Sequence, residues 1–351
     1  MDRRKFLQLG LLAPFALLAG CGGGGGSPSS GGGGGSGGSS GGGSGGSGGS
    51  GGGSGGSGGG SGGSSGPAIY VTDQGNGRVV KFNDFTGTGW TTYGSIGSSQ
   101  GQFNLPGGLA VDSQGRIYIS DFQNARVVRI NDMTGTGWVA LSSQISLVGP
   151  YDVTLDSSGY IYVVDFGGQR IVRVYDMNGT GAVALGQLNN PGSGVGLFHG
   201  PVSATVDSSG RIYIVDSNNN RIVRVNDMSG SGWISYGVAG TGQGQFNQPG
   251  GIALDSSGNI YISDTLNHRI IRISDMNGTY WTAFGSQGSS VNQFNGPVGI
   301  AIDSQNRIYV VDNGNDRIVR INDMTGTGWT TYGTNGHGVG NFISPFGIAL
   351  H

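Results

Sequence analysis

The sequence predicts an all-β fold, a six-bladed β-propeller of four-stranded blades closed by the C-terminal strand joining the first blade. Three observations predict it. The pattern Ile-Tyr-x-x-Asp occurs six times, ending at Asp73, Asp121, Asp165, Asp216, Asp264 and Asp312, with spacings of 48, 44, 51, 48 and 48 residues. A period of about 40–50 residues with several short strands per unit is that of propeller blades. Each unit also supplies four strand-like runs in one fixed order. Finally, the ends are complementary: the first unit begins at Ala68-Ile69-Tyr70, directly in its second strand, and Pro345 to Leu350 read as a first strand with no second after it. The C-terminal strand is therefore expected to complete the first blade and remove two open sheet edges.

Within a unit, strand a reads Gly-Gly-Leu-Ala-Val at 107–111 or Gly-Gly-Ile-Ala-Leu at 250–254. Asp-Ser-x-Gly, as at 207–210, has the composition of a tight turn. Strand b, Arg-Ile-Tyr-Ile at 211–214, is rich in β-branched and aromatic residues, which suit a pleated surface. A short loop at 216–220 leads to strand c, Arg-Ile-Val-Arg-Val at 221–225. The hairpin connection 226–232 precedes strand d, which starts at Trp233, and a Gly-rich loop at 237–248 leads to Pro249 and the next strand a. The elements Pro-x-Gly-[Ile/Leu]-Ala-[Val/Ile/Leu]-Asp, Ile-Tyr-[Ile/Val]-x-Asp and Asn-x-Arg-[Ile/Val]-[Val/Ile]-Arg together resemble the NHL repeat across residues 67–351. That resemblance implies a six-bladed propeller, a scaffold common among binding modules and less common among enzymes.

Upstream of the repeats, Met1 to Leu7 form a short basic segment and Leu9 to Gly20 an apolar run too short for a membrane-spanning helix. Leu18-Ala19-Gly20-Cys21 resembles the bacterial lipobox, which implies cleavage before Cys21 and attachment of lipid to its thiol. The expected location is the bacterial cell envelope, and the outer membrane where there is one, since Gly22 rather than Asp follows the cysteine. Arg3-Arg4-Lys5-Phe6-Leu7 resembles the twin-arginine export motif, with the general secretory route as the alternative. Residues 22–66 are almost wholly Gly and Ser. They cannot bury apolar surface and read as a disordered tether, with a root-mean-square span of roughly 35–40 Å.

Charge narrows the function classes. The chain contains no Glu, and Lys occurs only at Lys5 and Lys81. With Asp2, Arg3, Arg4 and Lys5 set aside, 15 basic and 19 acidic residues remain. This weakly acidic balance lacks the basic footprint that nucleic-acid binding requires. Cys21 is the sole cysteine, so no intrachain disulfide and no cysteine-based metal site can form.

Internal repetition separates scaffold from function, because a residue type present in every blade serves the fold. The Asp ending each strand b is followed five residues later by Arg78, Arg126, Arg170, Arg221, Arg269 and Arg317. These read as exposed pairs capping a loop, each contributing about 0–1 kcal/mol. Asp84, Asp132, Asp176, Asp227, Asp275 and Asp323 fall in the c–d hairpins, where Asp bonds local backbone. Asp112, Asp156, Asp207, Asp255 and Asp303 fall in the a–b turns. Only Asp152 and Asp316 stand outside these sets. Trp90, Trp138, Trp233, Trp281 and Trp329 open strand d and read as packing between blades. The histidines His199, His268 and His337 belong to well-separated sectors, which argues against one shared metal ion. NHL-related amidating lyases place a zinc-binding His directly after the Pro of strand a, but Gly107, Tyr151, Val202, Gly250, Val298 and Phe346 hold those places here. No metal, cofactor or catalytic set emerges.

The repeat breaks in blades 2 and 3. Their connection, 141–149, is short; strand a of blade 3 opens Pro150-Tyr151-Asp152; Ala182 stands where other blades have Trp; and the loop 186–200 is the longest. The d–a and b–c loops of a propeller share one face, and loops on a rigid scaffold are a usual place for binding sites. The candidate ligand-binding residues are therefore Phe122, Tyr151, Asp152, Phe166, Gln169 and His199. The leading expectation is a monomeric, tethered cell-envelope module that recognises a protein, peptide or glycan through propeller loops. A lyase or hydrolase using Asp152 and His199 is the alternative, and a structural envelope spacer the second.

Overall fold

The computed structural model describes residues 66–141 and 145–351; Cys21, the leader and nearly all of the Gly/Ser tract lie outside the described residues. Six four-stranded antiparallel sheets form the blades. Strand a is Pro106–Val111, Pro150–Leu155, Pro201–Val206, Ile252–Leu254 and Pro297–Ile302 in blades 2 to 6. Blade 1 takes its strand a, Pro345–Leu350, from the C-terminus, next to strand b at Ile69–Asp73. Their register pairs Ile69 with Leu350, Tyr70 with Ala349 and Val71 with Ile348. Ala68 and His351 extend it by exchanging backbone hydrogen bonds of 2.8 and 2.9 Å. The ring thus closes as the sequence predicts.

Strand b is buried on both faces in every blade. It lies inside its own sheet with a neighbouring blade on either side, which is why its sequence is a continuous apolar run rather than an alternating one. Strand d is the exposed outer edge. The blade-to-blade core includes Phe103, Phe198, Phe246, Phe294 and Phe342, all fully buried. Each packs against the Trp of the following strand d, with centroids 5.2 to 5.6 Å apart. The Arg that opens strand c lies over the same ring, as Arg221 does over Trp233 at 5.7 Å. Ala182 therefore belongs to a correlated change. The residues at the corresponding places before it are Leu141 and Leu147, both buried, so aliphatic side chains fill that junction while Ala182 itself stays exposed.

The a–b turns and c–d hairpins lie at one end of the strands, and the b–c and d–a loops at the other. On the turn face, the a–b Asp accepts turn N–H groups and the hydroxyl of the strand-b Tyr, as Asp207 does from Tyr213 at 3.2 Å. This contact accounts for the Tyr of Ile-Tyr-x-x-Asp in blades 2 to 6; in blade 1 His351 stands in the place of the Asp. On the loop face, the d–a connections contain short parallel pairs that periodicity did not announce: Ser95–Ile96 with Gln102–Phe103, Val238–Ala239 with Gln245–Phe246, and Thr334–Asn335 with Asn341–Phe342. Among the described residues no such pair occurs after blade 2 or blade 3.

The Asp–Arg pairs require a correction. They are not exposed: the carboxylates of Asp73, Asp121, Asp165, Asp216, Asp264 and Asp312 are fully buried. Each meets its Arg Nε at 2.7 to 3.0 Å. The other carboxylate oxygen accepts a backbone N–H from the d–a loop, such as that of Asn104, His199 or Asn247 at 2.7 Å. The guanidinium reaches onward to loop carbonyls, Arg221 to those of Ser193 and Leu197. The pair is a buried rivet between two loops. Breaking one partner leaves an uncompensated charge, at a cost of about 3–5 kcal/mol rather than a fraction of one.

Candidate functional site

Strand a of every blade faces the axis, and together they line a cavity of about 290 Å³. At the level of the third strand residue the ring is Gly108, Asp152, Ser203, Gly251, Gly299 and Gly347. Four of the six lack a side chain because neighbouring strands approach so closely there. A methyl group on Gly251 would overlap the Val298 carbonyl, and one on Gly108 would overlap Asp152 Oδ1.

Asp152 projects into this ring and not onto the loop face where the sequence placed it. Its Oδ2 accepts hydrogen bonds from Ser203 Oγ at 2.9 Å and from the Ala204 N–H at 3.3 Å. Its Oδ1 accepts the Val153 N–H at 2.9 Å. Burial, only partly offset by these donors, pushes the carboxyl up to about 6. Among the described residues Asp152 is the one carboxylate lining the cavity, and it ties strand a of blade 3 to that of blade 4.

One residue nearer the loop face, Tyr151 joins Phe122, Phe166 and Phe346. The Tyr151 ring stands 5.4 Å from Phe122, 5.3 Å from Phe166 and 4.9 Å from Phe346, and Phe122 is 6.3 Å from Phe166. The contacts with Phe122 and Phe346 are edge-to-face, an arrangement that aligns ring edges with π-faces. Tyr151, Phe122 and Phe166 are half-buried, whereas Phe346 is buried. Burial raises the Tyr151 phenol above its ordinary value. Other blades use the position of Phe122 and Phe166 differently. Thr265 and Asn313 donate from there to the carbonyls of Pro297 and Pro345, each at 2.8 Å. Two hydrogen-bonding positions have thus become aromatic beside Tyr151, and rings from blades 1, 2 and 3 meet at the loop-face end of the axis. Phe346 is the member that sequence reasoning missed. It lies in a regular strand a, and only ring closure brings the C-terminus beside blade 3.

Gln169 and His199 are placed differently. Gln169 has a left-handed backbone, φ 58°, and is buried. Its Nε2 donates to the Phe166 carbonyl at 2.9 Å, and its Oε1 accepts the Gly200 N–H at 2.7 Å. The same position holds Asn220, His268 and Asp316, which accept the N–H groups of Gln248, Gly296 and Ser344. Gln169 is therefore a loop brace whose amide is turned to backbone. Asp316, which stood outside the sequence pattern, belongs to the same set. The His199 N–H donates to Asp216 Oδ1, the backbone role that Asn fills in three other loops, and its ring is half-buried.

Among the described residues, no group of three or more His, Cys, Asp or Glu is placed to hold a metal ion, and no helix is long and apolar enough to cross a membrane.

The architecture defines the class: a six-bladed β-propeller carrying NHL repeats. The NHL repeat family model matches residues 103–130, 198–224, 246–273 and 294–321. These segments fall on blades 2, 4, 5 and 6; blade 1 and blade 3 are not among them. No curated protein matches the chain in sequence. Among solved structures it is similar to one described as a nidogen/laminin complex, with 18% identity, a TM-score of 0.63, and coverage of 81% of this chain and 98% of that one. It is also similar to a catalytically inactive virginiamycin B lyase from Staphylococcus aureus with quinupristin, at 20% identity, a TM-score of 0.51, and coverage of 73% and 81%. A streptogramin B lyase matches at 18% identity with a TM-score of 0.50, covering 76% of this chain and 73% of that one. Similarity at this level establishes the shared fold.

Proposed function

We propose that this protein is a non-catalytic binding module that recognises a protein or peptide segment on its loop face, centred on Phe122, Tyr151 and Phe166. The observation that carries this reading is the aromatic cluster itself. It sits where the repeat otherwise places Gly, Val or hydrogen-bonding side chains, and three of its rings remain partly open. Half-exposed aromatic anchors in a rigid frame are the usual centre of a recognition surface. The charged rivets of this face are internal, so the cluster is framed by neutral loop residues. NHL propellers commonly mediate protein interaction, and one neighbour in fold comes from a protein complex.

A catalytic reading has less support, because Asp152 has its oxygens engaged by backbone and by Ser203, and His199 belongs to a different loop. We further propose that Cys21 carries a lipid and that residues 22–66 tether the propeller to the cell envelope. The described chain enters blade 1 at Ala68, on the turn face, opposite the cluster.

Two experiments test these readings. A photo-cross-linking residue at position 166 is expected to trap an envelope partner that the same residue at position 257, on the turn face, does not; equal trapping would remove the loop face from consideration. Cys21→Ser is expected to move the protein from membrane to soluble fractions, and unchanged fractionation would overturn the anchor.

A further inference from the structure

Blade 3 departs from the other blades on the turn face as well. In four blades the residue four positions after the a–b Asp returns to its carboxylate: Arg116, Arg211 and Arg307 donate at 2.6 Å, and Asn259 at 2.7 Å. In blade 3 that residue is Tyr160, and the only side-chain donor to Asp156 among the described contacts is the Tyr162 hydroxyl at 3.0 Å. In the c–d hairpin the first residue is Asn83, Asn131, Asn226, Ser274 or Asn322 elsewhere but Tyr175 in blade 3. The two replacements touch. Tyr160 and Tyr175 stand edge to face with centroids 5.3 Å apart, and the Arg173 guanidinium covers Tyr160 at 4.5 Å. Tyr160 is half-buried against the junction with blade 4, while Tyr175 is 61% exposed.

We propose that Tyr175, Tyr160, Arg173 and Asp156 form a saccharide-docking shelf on the turn face of blade 3. The exposed Tyr175 ring provides a flat π-face on which the C–H groups of a sugar ring stack, since aromatic faces carry negative and C–H edges positive partial charge. Tyr160 holds that ring upright. Arg173 supplies donors and Asp156 an acceptor that the neighbouring blades close off with Arg or Asn, and mixed donors and acceptors match sugar hydroxyls. Size separates this occupant from a protein. A stable protein interface covers about 800 Å² per partner with several buried anchors, whereas the apolar part of this shelf is a single side chain, which suits one sugar ring. The shelf is independent of the loop-face cluster.

The test is binding of the purified full-length protein to an array of neutral and acidic oligosaccharides, with affinities for any retained sugar measured by titration calorimetry. The expected result is retention of at least one saccharide, a roughly tenfold loss of affinity in Tyr175→Ala, recovery in Tyr175→Trp, and no change in Tyr280→Ala, which removes the exposed tyrosine of the blade 5 hairpin. Tyr175 is exposed, so Tyr175→Ala is expected to unfold at the same temperature as the parent. An array that retains nothing, or a Tyr175→Ala variant that binds within twofold of the parent, would overturn the proposal. A Tyr175-dependent protein partner without saccharide binding would overturn it too.

Discussion

Tyr151 of blade 3 and Phe346 of blade 1 meet edge to face with ring centroids 4.9 Å apart, although 195 positions separate them in the chain. Blade 2 lies between them and contributes Gly107, which has no side chain to hold the rings apart. The contact joins the C-terminal closing strand to the most irregular blade. Tyr151→Ala is expected to cost about 2 kcal/mol, since the ring is only half-buried. A double-mutant cycle with Phe346→Ala should give a coupling of about 1 kcal/mol by urea unfolding. A coupling near zero would mean that the rings do not support one another.

Gly108 has an ordinary backbone, without the left-handed φ that other glycines of the chain show. Its requirement is spatial: a methyl group there would run into Asp152 Oδ1. Gly108→Ala is expected to destabilise the domain by about 1–3 kcal/mol through overpacking. In the background of Asp152→Gly the same substitution should cost less but not vanish, because the backbone Cα of residue 152 still stands 3.0 Å from the added methyl group. An equal penalty in both backgrounds would assign the strain to another neighbour.

The raised carboxyl of Asp152 makes a signed pH prediction. Its folded value of about 6 lies above the ordinary carboxylate value of 3.8. Between those values the folded state binds more protons than the unfolded state, so this group makes stability fall as pH rises from about 4 to about 6, and its penalty stays constant above that. The penalty has an upper bound of about 3 kcal/mol at neutral pH. Asp73, Asp121, Asp216, Asp264 and Asp312 are also raised by burial and add slopes of the same sign. The measurement is therefore a difference. Relative to the parent, Asp152→Asn should gain stability across that window and level off above it. A difference independent of pH would contradict the burial of the charge.

Asp216 and Arg221 form one of the internal rivets, with Arg221 Nε 2.7 Å from the carboxylate. Asp216→Asn is expected to cost about 3–5 kcal/mol, because the guanidinium is left without its counter-charge inside the fold. Adding Arg221→Met should recover part of that loss. Denaturant midpoints of the two variants decide it, and a loss below 1 kcal/mol for the single variant would return the pair to the surface class.

Deleting residues 345–351 removes the whole of strand a from blade 1. The melting temperature is expected to fall by roughly 10 °C or more, the shift that accompanies several kcal/mol in a domain of this size. A truncated protein melting within a degree or two of the parent would show that closure adds little.

Much of this was legible from spacing alone. Six copies of Ile-Tyr-x-x-Asp and one displaced strand specify a closed ring, because repetition multiplies a weak local signal sixfold and the unmatched ends can satisfy only one another. The scaffold role of most charges followed from the same counting. Depth was not legible. The Asp–Arg pairs read as surface features because Asp and Arg are rarely buried, and only the d–a loops folding over the b–c loops seal them in. Gln169 read as a candidate contact because it lies on the loop face in the irregular sector of blades 2 and 3. Its partner, the Gly200 N–H, lies 31 residues away.

The sequence by itself determined the number of blades, the order of their strands, the closure of the ring and the sector in which the repeat fails. All of these are properties of pattern and period along one chain. Tertiary structure alone decided which irregular residues gather. Ring closure carried Phe346 to Tyr151, the narrow axis drew Asp152 inward to Ser203, and the c–d hairpin of blade 3 set Tyr175 on Tyr160. Those contacts join residues by distance across the ring, and a repeat records position only within its own blade.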